Sequence, residues 1–501
     1  MSNNLDILLV TPPSKDKVFQ DLGKSLVAIE PPVWSLLLAT FFKRKGHSVQ
    51  ILDAEAESIG FDETARRIIE TQATLTVFVV YGHQPSASTQ CMPAGKAVCQ
   101  RVLEGAPQLK TIVMGTHASA LPRRTLQEEP YTYVCEGEGP YTVLHLLEEL
   151  KSSQPRLDKV PGLWYRDNGN ISHNPPAQNL PDLDREIPGQ AWEMIDMSKY
   201  RAHNWHCFDH INDRQPYASL QTSLGCPYKC SFCCINAPFG QPGIRYWSPQ
   251  LVVDQIDHLV KTYGVKNIKI PDEMFVLSEQ HVMGICDRII DRGYDLNIWA
   301  YARIDTVKDR YLEKLKKAGF NWLALGIESG SKYVRDGVEK GRFGDTDIVK
   351  TTDKIKEHGI YIIANYIFGL PDDTRSSMQE TLDLSLEINA EWANFYCAMA
   401  YPGSPLYNLA REQGQLLPDD PDGPGWIGYS QHAYESLPLP TETLTSQEVL
   451  DFRDEAFDQY FTHAPYQSMV RERFGQHLVD HINDMVKIKI KRKHRDALSA
   501  T

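Results

Sequence analysis

The chain has 501 residues, a formal net charge of −13, 42% hydrophobic residues and 23% charged residues. That length exceeds one ordinary core and implies two to four domains of about 100–200 residues, while the average composition excludes wholesale disorder, collagen and coiled coil. The acidic balance excludes general binding of nucleic acid or anionic membrane by the whole body.

No stretch approaches the run of about eighteen apolar residues that a membrane span needs, and "MSNNLDILLVTPP" lacks a basic n-region and a small-residue cleavage site. The expectation is a cytoplasmic protein, in which cysteines stay reduced. Residues 1–150 alternate apolar runs with helical stretches: "LDILLVTPP" reads as a strand, "VWSLLLATFFKRKG" as a helix and "HSVQILDAE" as a second strand. "LTVFVVYGH", "KTIVMGTHAS" and "YTYVCEGEG" repeat the form. Strands separated by helices predict an α/β, doubly wound parallel sheet, Rossmann-like in form. Ligands of such sheets sit beyond the carboxyl ends of the strands. Thr11, Asp53, Tyr81, Gly82, His83, Gly115, Thr116, His117, Glu136, Gly137 and Glu138 fall there. No GxGxxG or P-loop lysine follows the first strand, which argues against a nicotinamide or ATP site.

Residues 151–215, rich in Pro, Asn and Asp, read as a connector. Its "NWHCFDH" reads as a wall of a substrate pocket or as packing rather than as a metal site. Over residues 216–410 six strand-then-helix units follow: "YASLQTSLGC", "VKNIKIPDE", "LNIWAYARID", "WLALGIESG", "YIIANYIFGLP" and "WANFYCAMAYPGSPLY". These predict a partial (β/α) barrel with its chemistry at the carboxyl ends of the strands. Residues 411–501 read as a mostly helical extension. It ends on "KIKIKRKHR", Lys487 to Arg495, a run suited to weak contact with an anionic surface such as lipid, or simply to a solvated helix.

Four of the ten cysteines crowd into "SLGCPYKCSFCC" after the first barrel strand. Cys226, Cys230 and Cys233 can converge on one face of an iron–sulfur cluster, for which thiolate is the usual ligand. A structural zinc wants four ligands and no second pair is present, and a redox CxxC at Cys230 and Cys233 leaves Cys226 without a role. Cys234 must point the opposite way from its neighbour.

"CPYKCSFC" resembles the CxxxCxxC signature of the radical S-adenosylmethionine (SAM) superfamily, which implies a 4Fe-4S cluster held by Cys226, Cys230 and Cys233, with SAM chelating the open iron. One electron then cleaves SAM to a 5′-deoxyadenosyl radical, which implies a flavodoxin or ferredoxin-type electron donor. "IPDEMF" with Asp272 and Glu273, "YARID" with Arg303, "LGIESG" with Glu328 and Ser329, and "IFGLPDDT" with Gly369 resemble the superfamily's SAM contacts. Residues 5–150 resemble the cobalamin-binding domain that precedes the barrel in one branch, on the strength of "TPP", "GTHASALPRRTL" and "CEGEGPYTVLHLLEEL". The DxHxxG motif that supplies a lower cobalt ligand elsewhere does not occur, and His83 and His117 stand outside that context. The resemblance implies methylation of an unactivated carbon of a lipid, sugar or natural product, or else a cyclisation or rearrangement without methyl transfer. It fixes no catalytic acid or base.

Overall fold

The computed structural model describes residues 5–82, 84, 86–338 and 347–499. The first sheet holds β1 (Ile7–Thr11), β2 (Val49–Asp53), β3 (Leu75–Val79), β4 (Thr111–Met114), β5 (Tyr133–Cys135), β6 (Leu163–Asp167) and β7 (Asn170–His173), in the order β2-β1-β3-β4-β5-β6-β7. Its first five strands are parallel. Every residue of β3 is buried, because helices Val33–Arg44 and Pro140–Lys151 pair on one face while Phe61–Thr71 and Ala87–Gly105 pair on the other. The connector is part of this sheet, since β6 and β7 add to it antiparallel.

The second sheet begins with β8 (Tyr217–Ser219), followed by a short antiparallel ribbon of β9 (Ser223–Leu224) and β10 (Arg245–Tyr246). It continues through β11 (Asn267–Ile270), β12 (Asn297–Arg303), β13 (Phe320–Glu328), β14 (Tyr361–Phe368) and β15 (Trp392–Cys397). All six sheet strands run parallel in chain order, giving a half-barrel with helices outside. Its amino-terminal end is plugged by the connector: Trp205 meets Trp299 at 5.2 Å and Trp322 at 5.8 Å between ring centroids. This is the "NWHCFDH" segment, in which His206 is buried and its Nε2 donates to the Asn297 carbonyl at 3.0 Å.

Helix Ser446–Thr462 packs on β14 and β15, and Arg453 Nε donates to the Phe395 carbonyl at 2.7 Å. The basic run at the end is held against that helix. Lys489 pairs with Asp458, Arg492 with Asp454, His494 and Arg495 with Asp451, and Lys487 with its neighbour Asp484. Arg492 is 1% exposed and also donates to the carbonyls of Gln431 and Ala433. The run, read as suited to weak contact with an anionic surface or simply to a solvated helix, has most of its charge answered within the fold. Lys491 also exchanges hydrogen bonds with Gln20 of the first domain. Among the described residues no helix is long and apolar enough to cross a membrane.

Candidate active site

A cavity of about 340 Å³ joins the carboxyl edge of the first sheet to the interior of the half-barrel. Thr11, Tyr81, Gly82 and Thr116 line one side, and Glu273, Tyr301, Asn365 and Tyr396 the other. Gly225 and Ile235, which bracket the cysteines, reach the wall between them, and Gln431 and His432 close it from the C-terminal extension.

On the first-domain side the hydroxyls of Thr11, Tyr81 and Thr116 are buried with no hydrogen-bond partner among the described residues. Buried polar groups are ordinarily paired, so three unpaired hydroxyls on one edge fit a bound group rich in polar atoms. Trp34 stacks on Tyr81 with centroids 4.3 Å apart. Gly82 has φ +72°, and a Cβ there would stand 2.6 Å from that of Ala87, so the turn requires glycine. Asp53 also reaches the cavity, and burial pushes its carboxyl up to about 7. His83 lies outside the described residues.

The other residues expected on this edge are not on the cavity wall. His117 is 1% exposed, accepts or donates at Thr89 Oγ1 3.2 Å away and lies edge-on to Trp426; burial drives its pKa to about 3, leaving a neutral ring. Gly115, at φ +150°, turns the chain where a Cβ would collide with the Val80 carbonyl. Glu136 accepts from the Trp164 indole at 2.6 Å, and Gly137 exchanges hydrogen bonds with Ser119 Oγ. Glu138 pairs with Arg245 of β10 at 2.7 Å and accepts from the Leu180 amide, so it fastens the first sheet to the ribbon that frames the cysteines.

The cysteine loop leaves β9 and returns on β10. Gly225 enters it at φ +90° with the Gly243 carbonyl 2.4 Å from where a Cβ would be, and the Gly243 amide donates to the Cys226 carbonyl at 3.1 Å. Cys226 is buried, Cys230 and Cys233 are half-buried, and Cys234 is buried. Among the described residues no three His, Cys, Asp or Glu side chains gather around a single ion. A cubane cluster holds its ligands apart by its own width, so thiols spaced along one loop suit it better than they suit one metal ion. Arg303, at the end of β12, stacks its guanidinium 4.1 Å over the Tyr228 ring and brings Nη1 to 3.9 Å from Cys230 Sγ, while Asp305 holds it in place.

Asp272 is fully buried and spent on the loop's approach: it accepts from the Thr222 amide at 2.8 Å, Thr222 Oγ1 at 2.6 Å and Ser223 Oγ at 2.6 Å. Glu273 faces the cavity instead, and burial with the Asp272 charge beside it raises its carboxyl to about 8. Glu328 sits at φ +68°, a strained setting for a non-glycine, where the pairing of β13 with β14 shifts register. Ser329 bonds to Thr381 Oγ1 at 3.1 Å, and Gly369, at φ +75°, packs against Val449, so both shape the fold rather than the cavity.

The half-barrel interior holds residues that motif reading passes over: Lys269, Trp299, Asn365, Trp392 and Asn394, facing Glu30 of the first domain. Lys269 was legible in principle, because "NIKI" alternates and places Asn267 and Lys269 on one face. Glu30, in a loop of "IEPPVW", carries no such signal.

The family profile described as the B12 binding domain matches residues 20–147, and that of the Radical SAM superfamily matches residues 220–385. A protein of Pyrococcus horikoshii named an uncharacterized methyltransferase is 28% identical over 82% of this chain and 84% of its own. The anaerobic magnesium-protoporphyrin IX monomethyl ester cyclase of Cereibacter sphaeroides is 24% identical over 86% of this chain and 66% of its own. In fold, the chain is similar to the radical S-adenosylmethionine methyltransferase TsrM of Kitasatospora setae, solved with cobalamin and a 4Fe-4S cluster. The TM-score is 0.66 and the identity 17%, covering 92% of this chain and 90% of that one. The cysteine loop at the mouth of a half-barrel, the unpaired hydroxyls across the cavity and these matches agree: the chain carries a B12-binding domain followed by a radical SAM domain.

Proposed function

We propose that the protein is a cytoplasmic, cobalamin-dependent radical SAM methyltransferase acting on an unactivated carbon of a small molecule. The observation that carries this is the single cavity, which touches the carboxyl edge of the cobalamin-binding sheet, both flanks of the cysteine loop and the half-barrel interior. When bound, the cluster with SAM supplies a hydrogen-abstracting radical and cobalamin supplies a transferable methyl group. The chain's own residues hold and shield these groups. Cys226, Cys230 and Cys233 would ligate the cluster, Arg303 would offset its charge, Glu273 would face the bound groups from the cavity wall, and Thr11, Tyr81 and Thr116 would offer hydroxyls to cobalamin. The roof of residues 18–34 and the wall at Gln431 and His432 keep water from the centre. A flavodoxin or ferredoxin-type protein supplies the electron.

The test is anaerobic turnover with reductant, SAM labelled in its methyl group and a cell extract, followed by mass spectrometry. A product that gains about 14 daltons plus the mass of the label, beside 5′-deoxyadenosine, is expected for methyl insertion in place of hydrogen. The similarity to a cyclase favours one second reading, a ring closure or rearrangement with the same cofactors. Formation of 5′-deoxyadenosine with no labelled product selects it.

A further inference from the structure

Three neighbouring strands of the half-barrel bring a set of hydrogen-bonding groups to one corner of the cavity. Lys269 on β11 is in register with Ser219 on β8 and with Trp299 on β12, and all three line the cavity. Ser219 is fully buried and its Oγ has no hydrogen-bond partner among the described residues, while Trp299, 3% exposed, turns its indole N–H towards the Tyr217 hydroxyl without closing a well-formed hydrogen bond. An indole N–H only donates, so nothing but an acceptor satisfies it, and leaving it buried without one is costly.

The charge of the corner is already balanced. Lys269 Nζ donates to both carboxylate oxygens of Glu30, at 2.9 and 2.8 Å, and also lies 5.1 Å from the Trp299 ring centroid. The positive charge is spent on Glu30, and the protein's own ammonium takes the cation–π position of that ring. The nearest row of the wall beyond is apolar, with Ala324, Ile363 and Trp392 in register across β13, β14 and β15, and Asn365 and Asn394 follow two positions further along β14 and β15.

We infer that the half-barrel takes a neutral, largely apolar small molecule, anchored by one hydroxyl or carbonyl oxygen at Ser219 and Trp299, with its body against Ala324, Ile363 and Trp392. The inference rests on the half-barrel interior being the substrate site. It turns away phosphorylated and carboxylate substrates, because Lys269 is spent on Glu30 and Arg453, the other cation on the wall, is engaged by Asp454 and the Phe395 carbonyl, and amines, which find the cation position filled.

The test uses the cofactor-loaded, full-length protein and three probes followed by calorimetry: 2-acetylnaphthalene, naphthalene and 2-naphthyl phosphate. The ketone is expected to bind at least ~10-fold more tightly than the phosphate, whose charge is uncompensated, and roughly 3- to 10-fold more tightly than naphthalene, which lacks the acceptor. Ser219→Ala, checked for folding by circular dichroism, removes the ketone's advantage over naphthalene; Trp299→Phe provides a second, independent variant. Phosphate binding equal to or tighter than the ketone, an equal loss for ketone and naphthalene in Ser219→Ala, or no binding by any probe overturns the inference. Iron and cobalt content are read on the same samples. A protein that never takes up either cofactor sinks the enzymatic reading, whereas full loading with the wrong probe order sinks the substrate class alone.

Discussion

Asp53 Oδ2 accepts a hydrogen bond from the Tyr200 hydroxyl at 3.0 Å, joining the end of β2 to the connector beneath the cavity. Both residues are buried. Burial holds the carboxyl of Asp53 up at about 7, against 3.8 ordinarily. The folded chain thus keeps a proton that the unfolded chain releases, so this contribution to stability is full below pH 4, falls as the pH rises towards 7 and is gone above it. Across that window the loss is on the order of 4 kcal/mol. Asp53→Asn is expected to flatten this part of the profile, measured as thermal midpoints from pH 5 to pH 8; a variant with the wild-type slope refutes the assignment.

Glu30 comes from the first domain and Lys269 from the half-barrel, with side chains 5% and 3% exposed. Removing one partner of a buried pair leaves an uncompensated charge and costs about 3–5 kcal/mol, whereas replacing both with apolar groups is often neutral. Glu30→Gln is expected to lower the denaturation midpoint sharply, and Glu30→Leu with Lys269→Met to recover most of it. A double variant as unstable as the single one contradicts this account of the pair.

Cys226→Ala, Cys230→Ala and Cys233→Ala are each expected to abolish the visible absorbance of the anaerobically reconstituted cluster, and Cys234→Ala to retain it. Gly225→Ala is expected to behave like the first three without touching a ligand, because its Cβ would meet the Gly243 carbonyl at 2.4 Å in a left-handed backbone. Iron content and absorption spectra check all five.

Asp419 gathers Arg124 of the first domain with Tyr407 and Arg411 of helix Pro405–Glu412 and Tyr429 of the C-terminal extension, the Tyr407 hydroxyl donating at 2.8 Å. Asp419→Ala strips the acceptor from four donors at once and is expected to cost about 2–4 kcal/mol. Because Trp426 lies against Arg124 and His117, a red shift of tryptophan emission with faster proteolysis near residue 420 reports the loosening.

The two sheets and the cysteine loop were legible because their signals are local: apolar runs with helical spacing between them, and three thiols within eight positions. The contents of the cavity were not. A strand-end motif such as "IPDEMF" names two acids but not which one turns inward, and here Asp272 is consumed by Thr222 and Ser223 while Glu273 faces the opening. His117 and Glu138 stand at the expected strand ends, yet Trp426 and Arg245, distant in sequence, draw them into packing and an ion pair. Glu30 acquires its role only through Lys269, a partner 239 positions away, and no single-chain pattern joins them.

The grip of Gln20 on Lys491 spans 471 positions, and Arg492 braces the carbonyl of Gln431, one of the residues that wall the cavity. Residues far downstream of the cysteine loop thus brace one flank of the vessel, and a truncation near residue 490 is expected to weaken cofactor retention although Cys226, Cys230 and Cys233 lie more than 200 positions upstream.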